Sequence, residues 1–465
     1  MPRTPTYDAA VAAVRSSPVG WMRLALALHS ARRLRQGRLL LRVAVVAAGL
    51  VALKAFVIDP LGGHSTGSFE DFSVYLGAAR SMAAGGSPYA HFDPGTVVMS
   101  GFIYPPFAAV LVSPLGALSD RAAGSLWLVL ELFCTVAAAV TLARTALPKG
   151  WPRVELGLLA ALTFAPATYN YWHGQINPLI FLLLVVAYHA YVRDRDIVCG
   201  VCIGLAAGIK LAPIVLVLLL LRRRLWGGAL AAIATGALTA VVGFLVLGAG
   251  ASHTFLTSVL PALNRATGWI YNQSLGGLVS RLGGQSVLRV QPSSAAVTAG
   301  SIAAAVAVLA VAAWTVRAGV RSSEERGSEF GLGVIAMMLA GSISWFPHFT
   351  YMLIPLFAAA GLVATRGWRS ERQLVAAAAA TLIVFAVVAP AAIARLDANW
   401  TALSHSAAWW PLLQLFSLPC LCALWLLVAL ARSLHASGAE RVDREGRPAE
   451  HRDRQTASVA VAGPG

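Results

Sequence analysis

Apolar runs of about 17 to 25 residues recur between Leu39 and Val428, separated by short polar segments. At 1.5 Å per residue each approaches the ~30 Å hydrocarbon core of a bilayer. The runs are continuous instead of alternating, which predicts helices and not a membrane barrel. The pattern predicts spans over residues 39–58, 122–143, 156–169, 176–191, 227–247, 295–314, 330–345, 349–365, 374–393 and 410–430. A shorter run at 107–118 follows Pro105 and Pro106 and is interrupted by Pro114, so it is expected to dip into one face without crossing.

One pair of segments is abnormal. Only 26 residues separate Arg195 from Arg222, and Ile209-Lys210-Leu211-Ala212-Pro213 divides them. Two halves of roughly 12 residues reach about 18 Å each. Lys210 is thereby predicted at depth, at the tip of a broken hairpin, a position tolerated only beside protein or a watery cavity. Gly200, Gly204 and Gly208 recur every four residues and predict close packing of these half-helices on a neighbour.

Composition agrees with a chain dissolved in lipid. Hydrophobic residues make up 58% of the 465 and charged residues 12%, too little polar surface to coat a soluble globule. The net charge of +16 raises the possibility of nucleic acid, but the arginines collect in short loops and in both tails. Positive-inside topology explains that placement, and no nucleic-acid partner is expected. With the basic groups on the cytoplasmic side, both termini are cytoplasmic and about 11–13 segments cross. Residues 1–38 read as a basic N-terminal segment with an amphipathic helix at 21–38 along the leaflet, followed by a signal anchor. Residues 39–432 form the membrane domain, and 433–465 read as a disordered cytoplasmic tail.

This topology puts the polar clusters on the outer face: a large loop at 59–121, the segment 169–177, Lys210, the 250–292 loop, Ser344 to His348, and the 395–405 loop. A cavity opening to the outer leaflet follows. Within it Asp71 and Glu70 are the candidate general bases for deprotonating a hydroxyl, although they read equally as solvated loop acids. Lys210 requires an anionic partner, such as a lipid phosphate, unless it snorkels. His348 suits a phosphate or a sugar hydroxyl, or simply packs. Gln175, Asn177, Asn272 and Gln273 are neutral hydrogen bonders, and Trp345, Trp172 and Trp269 are either site or belt aromatics. Cys199 and Cys202 form a C-x-x-C inside an apolar run without a second pair, and read as small helix residues. No zinc, Walker or dinucleotide motif occurs, so neither metal nor cofactor is expected and a group donor would be lipid-linked.

Several segments in order carry a resemblance: Asp71-Phe-Ser-Val-Tyr75, Tyr104-Pro-Pro-Phe107, Gly174-Gln-Ile-Asn177, Gly204 through Lys210 to Pro213, Asn272-Gln-Ser274, and Ser342-Ile-Ser-Trp345 with His348. The chain resembles glycosyltransferase family 87, the actinobacterial polyprenyl-phosphate-mannose-dependent mannosyltransferases of the GT-C membrane fold, from about residue 40 to 430. The resemblance implies an all-α polytopic enzyme whose first outer loop carries short juxtamembrane helices. It implies Asp71 as general base with Glu70 as rival, Lys210 facing the donor phosphate, and Tyr75, Tyr104, His348 and the residues above contributing to substrate binding. Two departures stand out: Phe349 replaces a second His, and Ala212 replaces a Thr. The implied reaction is an inverting transfer of a sugar, mannose first, from a polyprenyl phosphate to a cell-envelope glycolipid or polysaccharide. An arabinofuranosyl transfer from decaprenyl phosphoarabinose and a lipid-linked sugar transporter are the alternatives; the Lys210 hairpin has no counterpart in the second half, against a transporter repeat.

Overall fold

The computed structural model describes residues 18–54, 69–93, 101–287, 293–316, 321–389 and 409–445, with only the helical backbone described at 18–35, 409–416 and 437–445. Among the described residues there is no strand. In chain order the helices are α1 (Pro18–Leu53), α2 (Glu70–Ala83), α3 (Pro106–Val112), α4 (Asp120–Ala146), α5 (Arg153–Thr163), α6 (Ala165–His173), α7 (Asn177–Val192) and α8 (Asp196–Ile209). There follow α9 (Val217–Arg222), α10 (Trp226–Thr254), α11 (Leu260–Leu263), α12 (Leu275–Leu282), α13 (Ala295–Thr315), α14 (Ser323–Ala340), α15 (Leu353–Arg366), α16 (Arg372–Ile383) and α17 (Trp409–Glu445). Among the described residues six helical stretches are long and apolar enough to cross a membrane, from Gln36–Leu53 to Ser417–Ala436, and shorter apolar helices stand among them. The chain is a polytopic all-α membrane protein.

The helices begin where their caps dictate. Ser119, Ser294 and Ser322 accept main-chain N–H groups at the starts of α4, α13 and α14, and Glu325 completes a capping box with Ser322. That box starts α14 ahead of the expected span at 330, and the helix stops at Ala340, leaving 341–345 non-helical beside the cavity described below. The expected span at 156–169 is two helices, because Pro166 in the first turn of α6 cannot continue α5. The 250–292 segment is partly helical: α10 bends at Gly248, whose φ is 75°, and runs through a wide turn at Phe255–Val259 into α11.

The broken hairpin is present. α8 ends at Ile209, Lys210 adopts an extended conformation, and a single 3₁₀ turn, Ala212–Leu216, leads into α9. Gly200, Gly204 and Gly208 face α10 at backbone distance: a Cβ at Gly200 would lie 2.0 Å from the Gly228 oxygen, and one at Gly208 2.3 Å from Thr239 Oγ1. The four-residue spacing of glycines thus lets α8 lie against α10 and hold Lys210 at depth.

The basic loops cluster at the end of the bundle opposite Lys210. Arg42 pairs with Glu155 at 3.1 Å, and Arg223 and Arg321 flank the fully buried Glu329 at 3.5 and 3.3 Å. Arg366 joins Glu325 at 2.7 Å and Glu371 at 3.1 Å, and Arg326 pairs with Asp194. Both arginines lie within ion-pair distance of the buried Glu329, and Tyr191 OH donates to its Oε2 at 3.1 Å; removing one member of such a buried set costs roughly 3–5 kcal/mol.

Two boundaries differ from the sequence reading. The expected leaflet helix at 21–38 and the described part of the first span, to Leu53, form one uninterrupted helix, α1, because no Pro separates them. The final helix reaches Glu445, well into the tail expected to be disordered. The rest of that tail, the 395–405 loop and residues 59–68 and 94–100 of the first polar loop lie outside the described residues.

Gly200→Val should lower the unfolding temperature of the detergent-solubilised protein, because the added atoms meet main chain that cannot move aside; overpacking of this kind costs about 1–3 kcal/mol. A variant that melts with the wild type would refute the α8–α10 contact.

Candidate active site

The first turn of α2 presents Glu70 and Asp71, where the helix N-terminus favours negative charge. Phe69 just before it has φ 74°, a costly left-handed conformation for a side-chain-bearing residue, held by its N–H donating to Trp172 O at 2.8 Å. Gly174 ends α6 at φ 67°, and a Cβ there would fall 2.6 Å from Phe72 Cβ. Trp127 Nε1 donates to the Gly174 carbonyl at 2.9 Å. α2 is therefore pressed onto residues 172–175, and Gln175 Nε2 donates to Asp71 Oδ2. His173 Nδ1 stands 4.0 Å from the same oxygen. The Asp71 side chain keeps 31% of its surface exposed. Burial nevertheless raises its pKa above the usual 3.8, opposed by His173, by the Gln175 hydrogen bond and by Lys210, and supported by Glu70.

Behind Gln175 lies a chain of amides whose orientation is forced. Asn170 Nδ2 faces the carbonyls of Pro166 (2.7 Å) and Pro347 (3.1 Å) and Thr350 Oγ1 (2.7 Å), so its Oδ1 accepts from Asn177 Nδ2 at 2.9 Å. Asn177 Nδ2 also donates to Gln175 Oε1 at 3.2 Å, which leaves the Gln175 NH₂ for Asp71. Asn177 Oδ1 faces the other way and accepts from Lys210 Nζ at 3.1 Å and Tyr351 OH at 3.0 Å. Two backbone carbonyls thus dictate that a donor points at the acid and an acceptor at the lysine.

Lys210 Nζ stands 2.5 Å from His348 Nε2 and 5.7 Å from the centroid of the Tyr104 ring. The Tyr104 and Tyr75 hydroxyls share a hydrogen bond of 2.8 Å, and Ile176 N donates to Tyr75 OH at 3.3 Å. A cavity of about 820 Å³ joins these groups. Its lining includes Glu70, Asp71, Tyr75, Tyr104, Gln175, Lys210, Trp345 and His348, the apolar Leu211, Ile214, Leu260, Leu263, Ile302 and Ala305, and the small polar groups of Asn264, Thr298, Ser301 and Ser342. An acid, a lysine and a set of apolar side chains share one space.

Two sequence candidates are placed elsewhere. Asn272 and Gln273 are buried but do not line the cavity. Asn272 Nδ2 donates to Thr267 O (3.0 Å) and Ser342 O (2.9 Å), and its Oδ1 accepts from Ser274 N (3.2 Å) and Ser344 N (3.0 Å). Gln273 N donates to Ser344 O at 2.8 Å, and its side chain bonds Ile270 O. They clamp the 267–274 turn to 342–344 and so set the position of Trp345 and His348; the amides are spent on main chain. Trp269 packs edge-on against Trp345 at 5.5 Å within this clamp, whereas Trp172 is exposed. Asn177 acts from behind the wall. Sequence reasoning did not single out Asn170, His173 or Tyr351. For Tyr351 the available signal was spacing, three residues after His348; Asn170 and Asn177 lie in separate helices joined through the left-handed Gly174, so their separation carried none.

The profile of glycosyltransferase family 87 matches residues 102–342. The chain is 31% identical over 363 residues, 73% of this chain and 78% of the relative, to the polyprenol-phosphate-mannose-dependent alpha-(1-2)-phosphatidylinositol mannoside mannosyltransferase of Mycobacterium tuberculosis. It is 29% identical over 333 residues, 70% of this chain and 76% of the relative, to the corresponding phosphatidylinositol pentamannoside mannosyltransferase of Mycolicibacterium smegmatis. An alpha-(1->3)-arabinofuranosyltransferase of Corynebacterium glutamicum is 28% identical over 246 residues, 51% of this chain and 55% of the relative. Asp71, Trp345 and His348 fall outside the profile match.

Asn170→Leu removes the residue that orients the amide chain without touching the cavity. Turnover should fall by on the order of a hundredfold, the scale of a reacting group displaced by about 1 Å, in protein that still folds. Turnover within a factor of about two of wild type would show that the chain does not set the geometry at Asp71.

Proposed function

The chain belongs to glycosyltransferase family 87, and we propose that it transfers mannose from a polyprenyl phosphate donor to a cell-envelope glycolipid or polysaccharide, with inversion and with Asp71 as general base. The observation that carries this reading is the placement of Asp71 and Lys210 on one cavity that apolar side chains such as Leu211, Ile214, Leu260 and Ile302 also line. The donor's phosphate would meet Lys210 while its isoprenoid lies along the apolar side chains of the lining, and the acceptor hydroxyl would meet Asp71. The mycobacterial relatives, whose names specify polyprenol phosphate mannose and phosphatidylinositol mannosides, support the donor and suggest the acceptor class.

The chemistry is a single displacement. Asp71 accepts the proton of the acceptor hydroxyl as its oxygen attacks the anomeric carbon from the face opposite the phosphate. The bond between that carbon and the phosphate oxygen breaks, and polyprenyl phosphate leaves as an anion stabilised by Lys210. Gln175 donates to Asp71 Oδ2 and so favours the ionised, proton-accepting form. Glu70 borders the cavity as the alternative base, although no hydrogen bond from Gln175 orients it. With the dense basic groups cytoplasmic, the cavity faces outward and the termini inward.

The Corynebacterium relative favours one second reading, an arabinofuranosyl donor. Supplying purified protein with labelled polyprenyl phosphomannose or decaprenyl phosphoarabinose, together with a phosphatidylinositol mannoside, decides between them. Formation of a glycosidic bond with neither donor would sink the proposal.

In the same assay Asp71→Asn should lower turnover by about 10²–10⁴-fold while donor binding persists; near-normal turnover would reassign the base. Asp71 must be ionised to accept a proton, and its pKa is raised, so activity should be present at neutral pH and lost as pH falls through a value above 3.8. An acid limb at or below that value would contradict the desolvated site. Lys210→Ala should raise the apparent donor KM more than it alters the acceptor KM, and an unchanged donor KM would remove Lys210 from phosphate binding.

A further inference from the structure

The contact between Lys210 Nζ and His348 Nε2, 2.5 Å, is constrained by what each atom can donate. His348 Nδ1 accepts the main-chain N–H of Trp345 at 3.1 Å. A neutral imidazole has one ring hydrogen, so it sits on Nε2 and points at Lys210. An ammonium carries three hydrogens and no lone pair, and would set donor against donor. An uncharged amine instead accepts from Nε2–H and still donates to Asn177 Oδ1 at 3.1 Å. While the two side chains touch, the pair is neutral, which also avoids burying a cation against a second donor.

The surrounding groups leave this assignment intact. The other titratable residues on the cavity wall are Glu70 and Asp71 from α2 and the hydroxyls of Tyr75 and Tyr104. His173 faces Asp71, and Tyr351 reaches the pair only through Asn177. Among the described residues no carboxylate lies within 4.0 Å of Lys210 Nζ to pair with an ammonium in this arrangement, and the opposite charge acting on it is the more distant Asp71.

We propose that His348 is a second donor to the substrate phosphate, locked in its Nε2–H form by Trp345, and that entry of the phosphate is coupled to uptake of one proton by Lys210. A phosphate oxygen accepts Nε2–H in place of the amine. The freed lone pair on Nζ takes a proton from solvent, and the ammonium and the imidazole N–H then both donate to the anion. The inference rests on the donor assigned above, a phosphodiester that carries its single charge throughout this pH range.

The test is calorimetric titration of polyprenyl phosphomannose into the full-length protein in nanodiscs, without acceptor, in two buffers of different ionisation enthalpy and across pH. The wild type should take up about one proton, and its donor affinity should weaken about tenfold per unit as pH rises through the coupled range. His348→Gln can still accept from Trp345 and donate from its amide, so it should retain the uptake, as should Asp71→Asn; Lys210→Met should lose it. Saturable binding without proton uptake overturns the proposal. Uptake that survives in Lys210→Met, or disappears in His348→Gln or Asp71→Asn, places the proton elsewhere and overturns it too. Absence of binding at every pH overturns the donor assignment and the proposal with it.

Discussion

The cavity depends on one short relay of amides anchored to main chain. Asn170 is buried, and its NH₂ faces the Pro166 and Pro347 carbonyls, so every later amide has only one orientation that satisfies its hydrogen bonds. Gln175 consequently offers hydrogens to Asp71, and Asn177 offers an oxygen to Lys210. Both anchors are main-chain carbonyls, which can only accept, and so they fix which end of the Asn170 amide faces them. A half-satisfied polar network in an apolar bundle would cost more than none, so the members stand or fall together.

That relay would be useless without the depth at which Lys210 is held. A continuous helix through residue 210 would turn the lysine side chain with its neighbours along the helix surface; the break after Ile209 places it instead at a tip between α8 and the following 3₁₀ turn. Glycines facing α10 bring the tip against the bundle, where Asn177, His348 and Tyr104 supply polar and aromatic partners. The broken hairpin is thus a device for putting a titratable group where lipid would otherwise forbid one.

The two ends of the molecule use charge differently. At the basic end, Glu329 and Glu325 neutralise arginines from several loops and tie α7, α9, α14 and α15 together. At the cavity end the acid and the lysine are kept apart by the amide relay instead of forming an ion pair. Ion pairing satisfies charges and makes them inert. Separation across a cavity leaves each with capacity for a ligand, at the cost of desolvation that shows in the raised pKa of Asp71.

Much of this was legible in the amino-acid order. Apolar run length determined an all-helical membrane protein, the position of Pro213 and Lys210 determined the broken hairpin, and the glycine spacing determined its close packing, because each is a local property of helix geometry. Asp71, Gln175, Lys210 and His348 were recognisable as residue types out of place beside lipid. Helix ends were less legible: α1 starts ahead of and α17 runs beyond the bounds that their apolar runs mark, and α14 starts early at a capping box. What only the tertiary structure decided is which polar groups share a space and which way they point. Asn272 and Gln175 look alike in sequence, each an amide in a polar segment between apolar runs. Yet Asn272 spends its amide clamping two turns while Gln175 reaches the acid, and Asn170 orients Gln175 through Asn177 from behind the wall. An amide's partners are set by carbonyls and hydroxyls up to 180 residues away, and no local pattern encodes them.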